Sequence, residues 1–281
     1  MPELACLNGV FSSIADARVS IEDRGFQFGD GVYEVVAAYN RRPFLLDRHM
    51  RRLRTSLDAI ALPYDFDASP LEPILLEGLR RCEFVDALIY IQITRGAAPR
   101  SHVIPKGIRP TVVMTFKPLP LIPDDLRRRG AHLMTTPDAR WANCYVKAIT
   151  LLPNILAKND ALNRGFDDAV FVSAAGEVRE CTSANIFMVR GDTVIIPPLN
   201  ESILHGVTQD FLRECAAAVG LPMIEESFDA DALRRADEVF MSSTATEVLA
   251  VTRLDGQPIG DGAVGPRTQR LFNEFRSRSR G

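Results

Sequence analysis

The sequence predicts a two-domain protein of the α/β class, with strands and helices mixed in both halves. Apolar runs typical of strands alternate with segments of helical spacing along the whole chain. A stretch with three prolines, Lys117 to Pro123, separates the halves, because proline disfavours helices and central strands. The chain has 281 residues, of which 46% are hydrophobic, so each half can bury a core. We expect domains at 1–118 and 130–281, joined by a linker at 119–129.

The first half is predicted to open with a hairpin that leads into a helix. Val32–Tyr39 is rich in β-branched and aromatic residues, which predicts a strand, and Asn40-Arg41 follows as a turn. Pro43–Leu46 would be the return strand, and Asp47 would cap the helix after it. Apolar residues then recur at helical spacing: Met50, Leu53, Leu57 and Ile60. The remaining patterns of this half predict a helix at Leu71–Arg81 and strands at Leu88–Thr94 and Thr111–Phe116.

The second half repeats the mixture of helices and strands. A helix is predicted over Leu152–Asn163, and Gly165 would end it. Thr208 would cap another helix that runs to Val219. Strands are predicted at Ala169–Val172, Asn185–Val189 and Glu238–Met241.

Composition excludes several classes of function. The net charge of −3 gives no basic field for nucleic acid, and no apolar run approaches membrane-spanning length. The start, Met1 to Asn8, lacks the pattern of a signal peptide. The five cysteines are odd in number and form no Cys-x-x-Cys pair, and the four histidines show no ligand spacing. We therefore expect a cytoplasmic protein with reduced thiols and no metal site.

Lys147 is the first candidate for chemistry. Only four of the 33 basic residues are lysines: Lys106, Lys117, Lys147 and Lys158. Lys147 lies in an apolar stretch, Tyr145 to Leu152, where desolvation would lower the pKa of its amine and make it a nucleophile. Taken alone, the pattern is better explained by a lysine at a strand end that reaches water.

Four further segments could bind an anionic or cationic group. Glu180 precedes small hydroxyl residues and could pair with a cationic ring nitrogen, although a plain turn has the same composition. Leu204 to Gln209 leads into a helix whose first amides could bind phosphate, and Ser242 to Thr246 offers hydroxyls; both could be plain helix capping. Arg100 with His102 could hold a carboxylate, although surface arginines are usually only solvated.

Taken in chain order, these segments resemble one family. The matching stretches are Phe28–Val36, Thr94–Gly96, Arg100–His102, Arg140-Trp141, Lys147 with Leu151-Leu152, Ala157-Lys158, Glu180 with Ser183 and Asn185, Ile203-Leu204 with Gly206, and Ser243-Thr244 with Glu247. As an ordered set they are similar to fold-type IV enzymes that use pyridoxal 5′-phosphate (PLP), and most similar to the D-amino-acid aminotransferases. The resemblance extends from about Asn8 to the C-terminal helix.

The resemblance implies how PLP is held at the interface between the two domains. Lys147 would form the Schiff base and move the proton at the substrate Cα. Glu180 would pair with the protonated pyridine nitrogen, and Arg52 would bind the phosphate. The implied cofactor-binding set comprises Lys147, Arg52, Glu180, Leu204, Val207, Thr208, Ser243 and Thr244.

The resemblance also implies the substrate and the assembly. Tyr33, Arg100 and His102 would hold the substrate carboxylate, with the Arg100–His102 loop reaching the neighbouring subunit's site in a homodimer. The reaction would transfer an amino group from a D-amino acid, such as D-alanine or D-glutamate, to pyruvate or 2-oxoglutarate by a ping-pong mechanism.

Some positions depart from the family pattern. Cys181 stands where glycine is usual, Ala184 and Ala245 replace hydroxyl residues, and His205 replaces a more typical lysine. These departures leave the pocket and the preferred substrate open. Alternatives on the same fold are a branched-chain L-aminotransferase, an (R)-amine transaminase and an aminodeoxychorismate lyase. A non-catalytic dimeric binding protein is the alternative from another class.

Overall fold

The computed structural model describes residues 3–281 and divides by internal packing into two units. The first unit contains the chain up to Pro120 together with Val146–Thr150. The second contains Leu121–Tyr145 and Leu151–Gly281. The expected linker, 119–129, is not extended throughout, because Asp124–Arg129 forms a helix with acidic residues in its first turn and basic residues in its last. Those charges complement the helix dipole and stabilise so short a helix.

The first unit is built on an antiparallel sheet with strands in the order β2-β1-β6-β5-β3-β4. Its strands are β1 (Leu4–Leu7), β2 (Val10–Ser13), β3 (Gly31–Tyr39), β4 (Arg42–Pro43), β5 (Ala87–Thr94) and β6 (Thr111–Pro118). Its helices are α1 (Arg24–Phe28), α2 (Leu46–Ala59) and α3 (Leu71–Arg81). The prediction for α3 is confirmed at both ends. Apolar side chains of α2, among them Leu53 and Leu57, are buried as their spacing predicted.

Two details near α2 differ from the prediction. The return strand ends at Pro43, so the predicted strand over Pro43–Leu46 is wrong beyond its first residue. The helix begins at Leu46 rather than after Asp47. Leu45 takes a left-handed backbone with φ 54°, and Asp47 lies in the first turn, where its charge still favours the helix. A left-handed leucine is not indicated by any local pattern.

Close packing fixes α3 against the sheet. A Cβ atom added at Gly78, in the middle of α3, would overlap the ring of Phe116 on β6. Phe116 is itself fully buried. Gly78 therefore costs helix propensity but allows the helix backbone to lie directly on an aromatic core residue.

The second unit contains a mixed sheet in the order β12-β11-β10-β13-β14-β7-β8-β9, with β15 beside β14. Its strands are β7 (Ala131–Pro137), β8 (Asp168–Val172), β9 (Val178–Cys181), β10 (Asn185–Arg190), β11 (Thr193–Ile196), β12 (Met223–Glu225), β13 (Glu238–Ser243), β14 (Glu247–Leu254) and β15 (Gln257–Pro258). Its helices are α4 (Asp124–Arg129), α5 (Leu152–Asn163), α6 (Val207–Ala218), α7 (Ala230–Arg234) and α8 (Pro266–Arg280). The fold is thus a mixed α/β fold, as predicted, and α5 has the predicted bounds.

The start of α6 differs from its prediction. Gly206 is the capping residue, and Thr208 is the second residue of the helix, where its side chain is buried. Thr208 is therefore not the cap, because the extended backbone of the cap position falls on Gly206. No helix among residues 3–281 is both long and apolar enough to cross a membrane.

Candidate active site

Lys147 lies in a short segment that hydrogen-bonds to the first residues of β3. The Tyr33 N–H donates to the Lys147 carbonyl (2.9 Å), and the Ile149 N–H donates to the Gly31 carbonyl (3.1 Å). The Lys147 N–H in turn donates to Ser56 Oγ on α2 (3.1 Å). These bonds hold the Lys147 backbone from two elements and so fix the direction in which its side chain leaves the chain.

The side chain of Lys147 is half-buried, not buried as its apolar neighbours suggested. Val146 and Ala148 are buried on either side of it, and the Ala148 N–H donates to the Val146 carbonyl (2.8 Å), which closes a tight turn centred on Lys147. Its Nζ lies 4.2 Å from the centre of the Tyr33 ring. Tyr33 in turn contacts Tyr90, and burial, with the second phenol nearby, raises the pKa of Tyr90 to about 12. The structure thus places the amine over a tyrosine that the sequence also proposed as a site residue.

Arg52 is fixed by a buried carboxylate that the sequence did not single out. Arg52 Nε donates to Glu34 Oε1 (2.7 Å), and its Nη2 donates to Glu34 Oε2 (2.9 Å). His49 Nδ1 donates to the same Oε2 (2.8 Å). Glu34 is fully buried on β3, and His49 is buried on α2. Since His49, Arg52 and Ser56 share one face of α2, that helix anchors both the arginine and the Lys147 backbone.

The charges around Glu34 decide its ionisation. Burial alone would raise the pKa of Glu34, but the charge and hydrogen bonds of Arg52, with the hydrogen bond from His49, hold the pKa well below its usual range. Burial lowers the pKa of His49, and the nearby charges of Arg52 and Lys147 lower it further, against the opposing effect of Glu34. A neutral His49 can still donate to an ionised Glu34 through Nδ1.

The loop that carries Arg100 and His102 is anchored by buried charges at its base. Arg24 Nε and Arg95 Nε both donate to Asp30 Oδ2, at 2.7 and 2.9 Å. Arg24 Nη1 donates to the Ser101 carbonyl (2.6 Å), which lies between the two predicted substrate residues. Arg95 is buried although it lies in the loop itself, because β5 ends at Thr94.

Phe28 brings the two predicted carboxylate-binding residues together. The Arg100 guanidinium lies 4.4 Å from the centre of the Phe28 ring, and the His102 ring contacts it edge-on at 5.6 Å. Arg24 lies over the same ring at 4.9 Å. Arg100 and His102 are both exposed, so stacking on Phe28 is what orders them within the chain.

Glu180 lies on β9 and is paired with Arg140. Arg140 Nη1 donates to Glu180 Oε1, and Arg140 also holds Asp138 through Nε (2.9 Å) and Nη2 (2.8 Å). Its guanidinium stacks over the buried ring of Phe171 at 4.4 Å. Burial would lower the pKa of Arg140, but Asp138 and Glu180 together raise it. One arginine thus links the buried carboxylate of Glu180 to the half-buried carboxylate of Asp138.

Glu180 also joins the region that precedes α6. The Leu204 N–H donates to both carboxylate oxygens of Glu180 at 3.3 Å, and Asn185 Nδ2 donates to Oε2 at 3.3 Å. Asn185 Nδ2 also donates to the Leu204 carbonyl (2.9 Å). A Cβ atom at Gly206 would overlap Asn185 Oδ1, so only glycine allows this approach of the helix start.

The predicted phosphate-binding groups of the second unit lie at a helix start and a turn. Val207 and Thr208 are the first residues of α6, and the cap residue before them, Gly206, has no side chain with which to cap the first turn. Ser243 ends β13, and its Oγ accepts a hydrogen bond from the Thr246 N–H (3.2 Å), so this hydroxyl also shapes the turn that carries Thr244. Amides at such a helix start bind anions well.

The sequence analysis thus named candidate site residues but not the residues that hold them in place. Within the first unit, the structure brings Tyr33, Arg52 and Lys147 to one end of β3 and one face of α2. Within the second, it joins Glu180 to Leu204. The sequence analysis gave no role to Glu34, His49, Asp138 or Arg140, although Glu34 and Arg140 lie in stretches that match the family. Glu34 gave a further signal, since it is a charged residue at an otherwise apolar, core-facing position of an alternating strand.

Comparison with known proteins identifies relatives over nearly the full chain. A family model described as amino-transferase class IV matches residues 31–254. A D-alanine aminotransferase from Staphylococcus epidermidis is 36% identical over 270 residues, which is 96% of this chain and 95% of that protein. The solved structure of the Escherichia coli branched-chain amino acid aminotransferase superposes with a TM-score of 0.91 at 25% identity, covering 100% of this chain and 95% of that one. A branched-chain aminotransferase from T.th., solved with pyridoxamine 5′-phosphate, gives a TM-score of 0.85 at 26% identity, covering 98% of this chain and 94% of that one.

Proposed function

Because the chain belongs to the amino-transferase class IV family and is therefore a PLP-dependent transaminase, we propose that it transfers amino groups from D-amino acids to 2-oxo acids. The observation that carries this proposal is the 36% identity to D-alanine aminotransferases over 96% of the chain. D-alanine and D-glutamate are the proposed donors, and pyruvate and 2-oxoglutarate are the proposed acceptors, in a ping-pong cycle.

The chemistry of the side chains fits PLP group by group. The half-buried amine of Lys147 suits the cofactor's aldehyde, and the Glu180 carboxylate suits a protonated ring nitrogen. The Arg52 guanidinium and the first amides of α6 suit a phosphate, with Ser243 and Thr244 as further hydroxyl donors. We assign the cofactor to these residues and to Leu204.

The proposed mechanism gives each of these residues one task. When bound, PLP supplies an electron sink for the bonding electrons of the substrate Cα–H bond. Lys147 Nζ would accept the proton from the substrate Cα and hold it for return, because general bases act from within hydrogen-bonding reach. Glu180 keeps a positive charge on the ring nitrogen, and Arg140 with the Leu204 N–H stabilises the negative charge of Glu180.

Substrate recognition is proposed to rest on Tyr33, Arg100 and His102. Arg100 can offer two parallel hydrogen bonds to a carboxylate, and His102 can add a third. A carboxylate held at a fixed place determines which hydrogen of Cα faces Lys147, and this choice selects the enantiomer. The stacking of Arg100 and His102 on Phe28 supports the proposal, since it brings both side chains to one ring.

A branched-chain L-aminotransferase is the second candidate. The TM-score of 0.91 to the Escherichia coli branched-chain enzyme favours it. The sequence identity to that enzyme, at 25%, is lower than the 36% to D-alanine aminotransferases, so we place the D-specific reaction first.

A paired assay tests the proposal. Purified, PLP-loaded protein receives 2-oxoglutarate with either D-alanine or L-leucine, and the oxo-acid products are quantified. We expect pyruvate from D-alanine and no product from L-leucine. Product from L-leucine alone would overturn the D-specific reaction and leave Arg100 without its proposed role.

We also propose a cytoplasmic homodimer. Leu152, Ile155 and Leu156 on one side of α5 are exposed by 59–64%, an apolar face that a second copy would cover. The cysteines within the described chain are all free and buried, which accords with a reducing compartment. Light scattering at micromolar concentration should give twice the chain mass of 31.1 kDa, and a value of one chain mass would contradict the dimer.

A further inference from the structure

The carboxylate of Glu34 occupies an unusual place for a charged group. It lies on the core-facing side of β3 between Val32 and Val36, and all three residues have no exposed surface. Moving a carboxylate out of water costs several kcal/mol unless partners compensate. Glu34 has those partners, because Arg52 binds both of its oxygens and His49 binds one of them.

Stability alone explains this arrangement poorly. A buried ion pair contributes little net stability compared with apolar residues of the same size. What the pair does provide is geometry, since two parallel hydrogen bonds fix both the position and the plane of the Arg52 guanidinium. The same face of α2 also fixes the Lys147 backbone through Ser56, so both groups are set by one helix.

We infer that Glu34 is the positioning residue for the PLP phosphate: by holding the Arg52 guanidinium through two hydrogen bonds, it presets the phosphate-binding orientation before the cofactor arrives. This inference rests on the proposed phosphate role of Arg52. His49 supports it, because its Nδ1 bond holds the Glu34 carboxylate from a second side. A guanidinium ordered in advance loses less conformational freedom when the anion binds.

Charge and geometry predict opposite results when Glu34 is neutralised. Glu34→Gln removes a negative charge beside Arg52, so attraction alone would make a phosphate bind more tightly. The amide keeps the size of the side chain but can accept only through one oxygen, so the two-bond hold on Arg52 is lost. If Glu34 positions Arg52, PLP must therefore bind more weakly to the Glu34→Gln variant than to the unaltered protein.

The experiment measures the dissociation constants of PLP and of pyridoxal for protein from which the cofactor has been removed. Pyridoxal has the same ring and aldehyde but no phosphate, so the ratio of the two constants isolates phosphate binding. We expect Glu34→Gln to raise the dissociation constant of PLP about tenfold or more, as is typical when a residue that holds a binding side chain in place is changed. The dissociation constant of pyridoxal should change by less than about twofold. The matched control is Asp30→Asn, which neutralises a half-buried carboxylate shared by Arg24 and Arg95 in the same unit and should leave the ratio unchanged.

Two further variants keep the outcome decisive. If Glu34→Gln does not fold, Glu34→Asp keeps the charge but withdraws the carboxylate, and it should also lower PLP binding selectively. PLP binding that is unchanged or tighter, or equal losses for PLP and pyridoxal, would overturn the inference. Arg52→Ala tests the proposed phosphate role of Arg52 by itself. If Arg52→Ala also causes no selective loss of PLP binding, that phosphate role is wrong. If Arg52→Ala weakens PLP binding selectively but the Glu34 variants do not, Arg52 keeps its role and Glu34 is not its positioning residue.

Discussion

Each unit of the molecule contains a buried carboxylate bound by arginine, and the proposed roles within the two pairs are reversed. In the first unit, Arg52 is the proposed ligand-binding group and Glu34 supports it. In the second, Glu180 is the proposed ligand-binding group and Arg140 supports it. In both pairs, the charge and hydrogen bonds of the arginine offset the free-energy cost of burying the carboxylate. The contacts of an ion pair therefore do not determine which of its partners binds the ligand. The chemistry of the ligand determines it.

Removing the supporting arginine of the second pair should have the largest effect on stability. Arg140→Met would leave the buried Glu180 and the half-buried Asp138 without their shared cation, so we expect a loss of about 3–5 kcal/mol in the free energy of unfolding. Urea unfolding followed by circular dichroism measures it. Arg164→Met, at an exposed ion pair with Asp160, is the control and should change stability by less than about 1 kcal/mol. A loss no larger than that of the control would contradict the supporting role.

Neutralising Glu180, the proposed ligand-binding carboxylate of the second pair, should mainly lower kcat. Glu180→Gln removes the charge proposed to face the ring nitrogen, so we expect kcat to fall on the order of 10²–10³-fold while KM for the amino acid changes little. Steady-state kinetics with D-alanine tests this. An unchanged kcat would remove Glu180 from the mechanism and end the comparison of the two pairs.

Arg100, an exposed arginine outside the two pairs, should affect the KM for the amino acid rather than kcat. Arg100→Ala should raise KM for D-alanine about tenfold, because a charge-assisted hydrogen bond to the carboxylate is lost. Turnover of an amine without a carboxylate should change far less. Equal effects on the two substrates would argue against a carboxylate-binding role.

Phe28 should have a smaller effect of the same kind. Phe28→Leu removes the ring on which Arg100 and His102 stack, an interaction of about 0.5–1 kcal/mol at exposed sites, so KM for D-alanine should rise only a few-fold. Phe28→Tyr keeps a ring and should preserve KM. If both variants behave alike, the stacking does not order the two side chains.

The pair of Glu34 and Arg52, with His49, should also affect how the free energy of unfolding changes at acidic pH. The pKa values of Glu34 and His49 are both lowered in the folded protein, from ordinary values of 4.5 and 6.5. The unfolded chain therefore binds protons more readily, and stability should fall as the pH drops below about 6.5 and fall further below about 4.5. Glu34→Gln should flatten the lower part of this decline in thermal unfolding between pH 3 and pH 7. A decline that is equally steep in the variant would exclude Glu34 as its cause.

Local signals predicted much of the fold. The helices Leu71–Arg81 and Leu152–Asn163 have the predicted bounds, because proline near the first residue of each and a change of pattern after the last are strong signals. The starts of α2 and α6 were missed, since a left-handed Leu45 and a capping Gly206 depend on contacts that the local sequence does not encode.

The site was predictable where chemistry depends on residue type and order along the chain. Lys147, Glu180 and Arg100 stand out within their motifs, and their roles stay predictions. Their supports were not predictable, because Arg140 is 40 positions from Glu180 and Glu34 is 18 positions from Arg52. Such pairs are set by strand and helix packing, which no spacing rule captures.

The most direct test of the reversed roles measures two constants, the PLP dissociation constant and kcat at saturating PLP, in Glu34→Gln and Glu180→Gln side by side. We expect Glu34→Gln to weaken PLP binding about tenfold or more and to retain most of kcat once saturated. We expect Glu180→Gln to lose kcat on the order of 10²–10³-fold with a smaller change in PLP binding. If both variants change the same constant, the two pairs serve one purpose and their roles are not reversed.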